Sequence, residues 1–205
     1  MARTERSLLC DLLDQVGPDA PTLCAGWMTR NLGIHLAVRE RRPDAAAGIF
    51  LPPLAGYADR VRRGYAGQSW GDLVGLVRDG PPPWSPLAPL DRVANTLEFF
   101  VHHEDVRRAQ PDWTVRELDE AHEGELWRRL TRMAPLLLRR SPVGVVLRPG
   151  SGPLFRARSG HSYVTLTGAV GELALYAFGR GEHANVEVRG HDADVERFRQ
   201  TRLAV

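Results

Sequence analysis

The apolar pattern of this chain changes period at Ser141-Pro142, and that change constrains the fold more than any other feature. Before it, apolar residues recur every three or four positions, as in Leu8, Leu9, Leu12, Leu13 and Val16. After it, β-branched and apolar residues come in short blocks, with Val143–Arg148 a mostly apolar run and Tyr163–Thr167 alternating. A helical period buries one stripe of a helix, whereas alternation buries one face of a strand. The chain therefore reads as α+β: helices first, then a small mixed part, with a boundary near residue 141.

The spacing predicts helices over residues 3–16, 29–42, 53–63, 69–78, 90–110 and 117–140, the last broken or kinked near Pro135. Gly17-Pro18, Pro43 and Pro111 supply stops, because proline cannot continue a helix and disfavours helical backbone before it. Thr29 supplies an N-cap. Strands are predicted over 143–148, 154–158, 163–167 and 184–189. A short buried helix over 169–178 ends at Gly179, and an amphipathic helix follows over 192–202. Domains 1–140 and 141–205 follow from this division.

Composition excludes several functions. All 27 basic residues are arginine, so Schiff-base chemistry and a P-loop lysine are ruled out. The arginines are interspersed with acids, as in RERRPD and HHEDVRR, and the formal net charge is only +2. That pattern describes solvated helix faces and argues against nucleic acid as a partner. No apolar run approaches the ~20 residues that span a bilayer, so no membrane association is expected. The polar start MARTERSLLCDLLDQ has no hydrophobic signal core, which makes a cytoplasmic location the expectation. Cys10 lies in an apolar helical stretch and reads as core; Cys24 precedes Ala25-Gly26-Trp27 in a loop, with no feature that would make it a nucleophile.

Chemistry concentrates in Thr96-Leu97-Glu98-Phe99-Phe100-Val101-His102-His103-Glu104-Asp105. At ~100° per residue, Glu98 and His102 lie about 40° apart, one turn apart on one face. That face borders the apolar sector, where a carboxylate and an imidazole are costly unless paired or metallated. Asp105 falls about 20° from Glu98 on the side away from His102, one turn further on, as a fourth ligand or an acceptor for an imidazole N–H. His103 points away. His35 sits between Leu32 and Leu36 on the apolar face of its own helix. Taken alone, the Glu/His pair also fits an exposed i,i+4 pair, and His35 a hydrogen-bonded core histidine.

Three segments resemble a known family. WMTRNLGIHLAVRERRPD resembles the W-T-x-R-D-L-x-x-H segment of the DinB-like, mycothiol-dependent maleylpyruvate isomerase family. LEFFVHHEDVRRA resembles its E-x-x-x-H-H-x-D segment, and GELALYAFGR its G-x-x-x-E-L-L-L-W-x-x-G-R segment. The matches occur in family order and span nearly the whole chain. The resemblance implies a DinB-like, metal-binding four-helix bundle followed by a small α+β domain resembling sterol carrier proteins. It implies His35, Glu98 and His102 as metal ligands and Arg180 as the functional C-terminal arginine. Met28 and Asn31 depart from the family's usual Thr and Asp, and Asn31 lies one turn before His35, where a lost carboxylate would alter the charge near the site.

Two imidazoles and one carboxylate suit Zn²⁺ with one position left open, although Ni²⁺, Fe²⁺ or Mn²⁺ also fits such a set. The resemblance adds mycothiol as the thiol cosubstrate and a small electrophile as substrate. The expected function is that of a thiol-dependent metalloenzyme, an isomerase or S-transferase, with Arg180 holding a carboxylate through its bidentate fork. A helix-end cation is the other reading of Arg180. The competing function is a non-catalytic metal-binding or small-ligand-binding protein on the same scaffold. His122, among Glu120, Glu123 and Glu125, reads as a surface residue.

Overall fold

The computed structural model describes residues 2–46, 55–82, 88–150 and 152–203, so the predicted helix start at Pro53 lies outside the described residues. It is a mixed α+β structure in which the chain forms two compact units, Met1–Val115 and Arg116–Val205. None of the described helices is long and apolar enough to cross a membrane.

The first unit is helical: α1 (Ala2–Val16), α2 (Thr29–Arg41), α3 (Pro43–Ala46), α4 (Ala55–Ala66), α5 (Trp70–Asp79) and α6 (Ala88–Arg107). α1 packs on α5 and α6, and α2 on α4 and α5. Leu9, Leu13, Leu32, Leu36, Leu73 and Phe99 are fully buried where these faces meet. Gly33 lets α2 approach α5 closely, since a Cβ there would stand 3.2 Å from Leu73 Cδ2. A buried ion pair ties the helices at one end. Arg6 donates to both Glu40 oxygens at 2.5 Å and to the Val77 carbonyl at 2.6 Å, with its guanidinium 4.2 Å from the centre of the Phe99 ring. One side chain of α1 thus engages α2, α5 and α6.

The second unit begins with α7 (Glu120–Leu137), followed by β1 (Gly144–Pro149), β2 (Phe155–Arg158), β3 (Tyr163–Gly168), α8 (Val170–Ala177), β4 (Glu187–Gly190) and α9 (Asp192–Arg199). The strands form one sheet in the order β2-β1-β3-β4, with β1 and β3 parallel and both outer pairs antiparallel. The parallel register sets Val145 beside Val164 and Leu147 beside Leu166, all four buried. The intervening Arg148, Thr165 and Thr167 fall on the other face, as a period of two requires. α8 packs on β1 and β3, and α9 on β3 and β4.

Several expectations are revised. The division falls at Val115/Arg116 and not near residue 141, because α7 packs on α8 and β2, with Trp127 edge-on to Phe155 at 6.3 Å. Apolar period identifies a helix but not the partner that covers its stripe. α7 runs past Pro135 and ends two residues later, at Leu137. β4 starts at Glu187 because residues 181–183 form a 3₁₀ turn. His122 is buried within α7, near the Asp119 cap that accepts its backbone N–H at 2.7 Å.

Candidate metal centre

α2 and α6 bring three potential ligands together in the first unit. Glu98 Oε1 lies 3.5 Å from His35 Nε2 and 3.4 Å from His102 Nε2, and the ligand atoms of all three residues fall within 4.8 Å of one another. The two imidazole centroids are 5.4 Å apart with the rings nearly perpendicular. These separations exceed the ~2.7–3.2 Å of a good N–H···O hydrogen bond. They match the ~3.3 Å edge of a tetrahedron whose ligands stand about 2.05 Å from zinc. The donor set and its two carboxylate–imidazole spacings are therefore compatible with a shared divalent metal. The side chains of His35 and Glu98 are each 20% exposed and that of His102 only 9%, so the cluster borders solvent on the Glu98 and His35 side.

The surroundings orient each potential ligand. Asp105 Oδ2 sits 2.9 Å from His102 Nδ1, an ordinary hydrogen bond that leaves Nε2 on the Glu98 side. The Cys24 thiol donates to the same Asp105 oxygen at 3.2 Å. The Trp27 ring lies 5.2 Å from that of His35, and Arg39 Nε is 3.6 Å from Glu98 Oε1. Burial alone would raise the Glu98 carboxyl, but contacts with His102, His35 and Arg39 outweigh it and hold the carboxyl well below its usual range. Burial likewise opposes the His102 imidazolium, but Asp105, Cys24 and Glu98 hold the imidazolium well above its ordinary range. Burial is the main effect on His35 and pulls it below its ordinary value, offset in part by Glu98.

The other predicted residues fall as follows. Asp105 is fully buried and contacts His102. Asn31 is exposed and accepts the Met28 backbone N–H at 3.1 Å, so it caps the start of α2 and leaves His35 to other partners. Arg180 lies in the second unit, just past α8. Its backbone N–H reaches the Leu175 carbonyl at 2.9 Å, and its guanidinium donates to the Phe178 carbonyl at 2.6 Å. With Gly179 at φ 84°, this is a glycine-terminated helix end. His103 is buried, its Nδ1 3.1 Å from Glu5 Oε2 on α1. Sequence reasoning missed Cys24 as a neighbour of the site, since only the folded loop brings it to Asp105. Its place three residues before Trp27 was the one available signal.

No family model and no curated protein matches this chain. Among solved structures, the crystal structure of a mycothiol-dependent maleylpyruvate isomerase is similar to it, with a TM-score of 0.60 and 17% sequence identity over 91% of this chain and 89% of that one. At that identity the likeness establishes a shared fold.

Proposed function

We propose that this chain is a divalent-metal enzyme that uses a small thiol such as mycothiol to attack a small electrophile, as an isomerase or S-transferase of the maleylpyruvate isomerase type. The observation that carries this reading is the His35–Glu98–His102 cluster, spaced like the edges of a coordination polyhedron and bordered by solvent. The shared fold supports it. Zinc is the favoured metal, because three N/O ligands with room for an exchangeable fourth are the arrangement of catalytic zinc sites. When bound, such an ion lowers the pKa of a coordinated thiol and makes it nucleophilic at neutral pH.

The protein's own residues have separable tasks. His35 and His102 supply neutral nitrogen donors, and Glu98 supplies one negative charge. Asp105 accepts the His102 Nδ1–H, which presents Nε2 and raises its basicity. Arg39 limits how much charge Glu98 carries into the site. Arg180 is assigned to a carboxylate of the substrate or thiol, for which its guanidinium would leave the Phe178 carbonyl. That existing bond also favours a second reading, in which the protein binds a metal or small ligand without catalysis and Arg180 serves the end of α8.

Metal analysis of the wild type and the His35→Ala variant tests the cluster. One equivalent is expected in the wild type and a loss in the variant; a full equivalent in both would refute the three-ligand site. Thiol titration of the cobalt-substituted protein separates the two readings. A change in the cobalt spectrum on adding thiol supports the enzyme, and an unchanged spectrum supports the non-catalytic protein.

A further inference from the structure

We infer that Cys24 is a positioning residue of this metal centre: its thiol holds Asp105, and Asp105 holds the His102 ring with Nε2 turned toward Glu98 and His35. The inference rests on the metal reading above and extends it to the loop before α2.

The loop is closed on itself and docked on α6. Pro21 and Met28 form an isolated antiparallel bridge, and the Thr29 N–H reaches the Ala20 carbonyl at 2.9 Å. Thr22 Oγ1 donates to the Trp27 carbonyl at 2.9 Å and accepts the Cys24 N–H at 3.2 Å. Gly26, at φ 74°, makes the reversal that an L side chain would resist. The loop then meets α6 at one residue twice. The Leu23 N–H reaches the Asp105 carbonyl at 3.0 Å, and the Cys24 thiol reaches Asp105 Oδ2 at 3.2 Å. Gln110 Nε2 adds a bond to the Pro21 carbonyl at 3.2 Å.

Cys24, His102 and Asp105 are close enough together to suggest a second metal site, but the distances decide against it. The 2.9 Å N···O and 3.2 Å S···O separations are hydrogen-bond lengths. Around zinc, a thiolate at about 2.3 Å and a carboxylate oxygen at about 2.05 Å would stand roughly 3.5 Å apart. The trio is therefore a hydrogen-bonded chain in which one carboxylate oxygen takes both donors. Asp105 is fully buried, so no solvent replaces a donor that is lost. The same loop places Trp27 against His35, and so it braces both imidazoles.

Zinc affinity, read by competition with a chromophoric chelator, tests the role in Cys24→Ala and Cys24→Ser. Loss of an outer partner of a ligating histidine weakens binding by about 10–100-fold, and a drop of at least about tenfold is expected for Cys24→Ala. Serine keeps the donor, so Cys24→Ser is expected to recover most of the affinity. A Cys24→Ala variant that binds zinc as tightly as wild type would overturn the role, and so would an equal loss in both variants, which would point to packing alone. The infrared S–H stretch of the metal-free protein, assigned by its absence in Cys24→Ala, supplies a readout without metal. It is expected at the lowered frequency of a donating thiol, and the frequency of an unbonded thiol would overturn the inference. A wild type that bound no zinc would overturn the metal reading and this role together, whereas zinc binding indifferent to Cys24→Ala would overturn this role alone.

Discussion

At the scale of single residues, two titrations have a definite sign. In the metal-free protein His102 holds its proton above the ordinary histidine range, so that stabilisation is complete at low pH and fades as pH rises through the raised value. A metal bound at the proposed site would have to displace the same proton. Its affinity is therefore expected to climb with pH across neutrality, with net proton release measurable by calorimetry in buffers of different ionisation enthalpy. Glu98→Gln should weaken metal binding by more than the roughly 10–100-fold carried by outer partners, since it removes the negative ligand itself. Cys10 behaves oppositely to a reactive thiol. Burial, opposed by Arg78 and Arg6, pushes it from 9.0 up to about 12, so the folded state loses stability as pH rises from about 9 toward 12. Denaturant unfolding at neutral pH and at pH ~10.5 should show that loss in the wild type, and a shallower one in Cys10→Ala. Cys10 was legible as core from its apolar neighbours. The contacts of Cys24 were not, because an 81-residue separation in sequence carries no periodic signal.

At the scale of elements, period and proline stops made most helices and strands legible, although the N-cap of α2 is Met28 and not Thr29. The sequence placed Glu98 and His102 on one face of α6, and the structure keeps them there. It could not say what faced them: the resemblance paired His35 with them, and the packing of the first unit brings α2 to α6. Two features escaped for the same reason. Asn31, read as a change of charge near the site, is a cap satisfying the Met28 N–H. α7, grouped with the helical part, carries its apolar stripe into the sheet-containing unit. The Arg6–Glu40 pair gives this scale its prediction. Removing one partner of a buried, hydrogen-bonded ion pair leaves the other charge uncompensated, which costs about 3–5 kcal/mol. Glu40→Ala should lower stability by that order in equilibrium urea unfolding. Replacing both Arg6 and Glu40 with apolar residues should cost much less, because no orphaned charge remains.

At the scale of the whole molecule, the two units predict a local response to metal. All three proposed ligands belong to the first unit. An ion bound only to the folded state adds about 2.7 kcal/mol at one hundred times its dissociation constant. Hydrogen exchange should show that protection in α2 and α6 first, with α8 and α9 little changed; uniform protection of both units would contradict it. The ligand positions also bear on time. His35 and Glu98 are separated by residues 36–97, so the cluster exists only after α2 and α6 have met across a long stretch of chain. Closing so long a loop costs entropy before the contact repays it, so the cluster is expected to form late, and interactions absent from the folding transition state act on the way out of the native state. The ion would then work as a latch on unfolding. Refolding would run at nearly the same speed with or without it, while the native lifetime would lengthen with metal concentration.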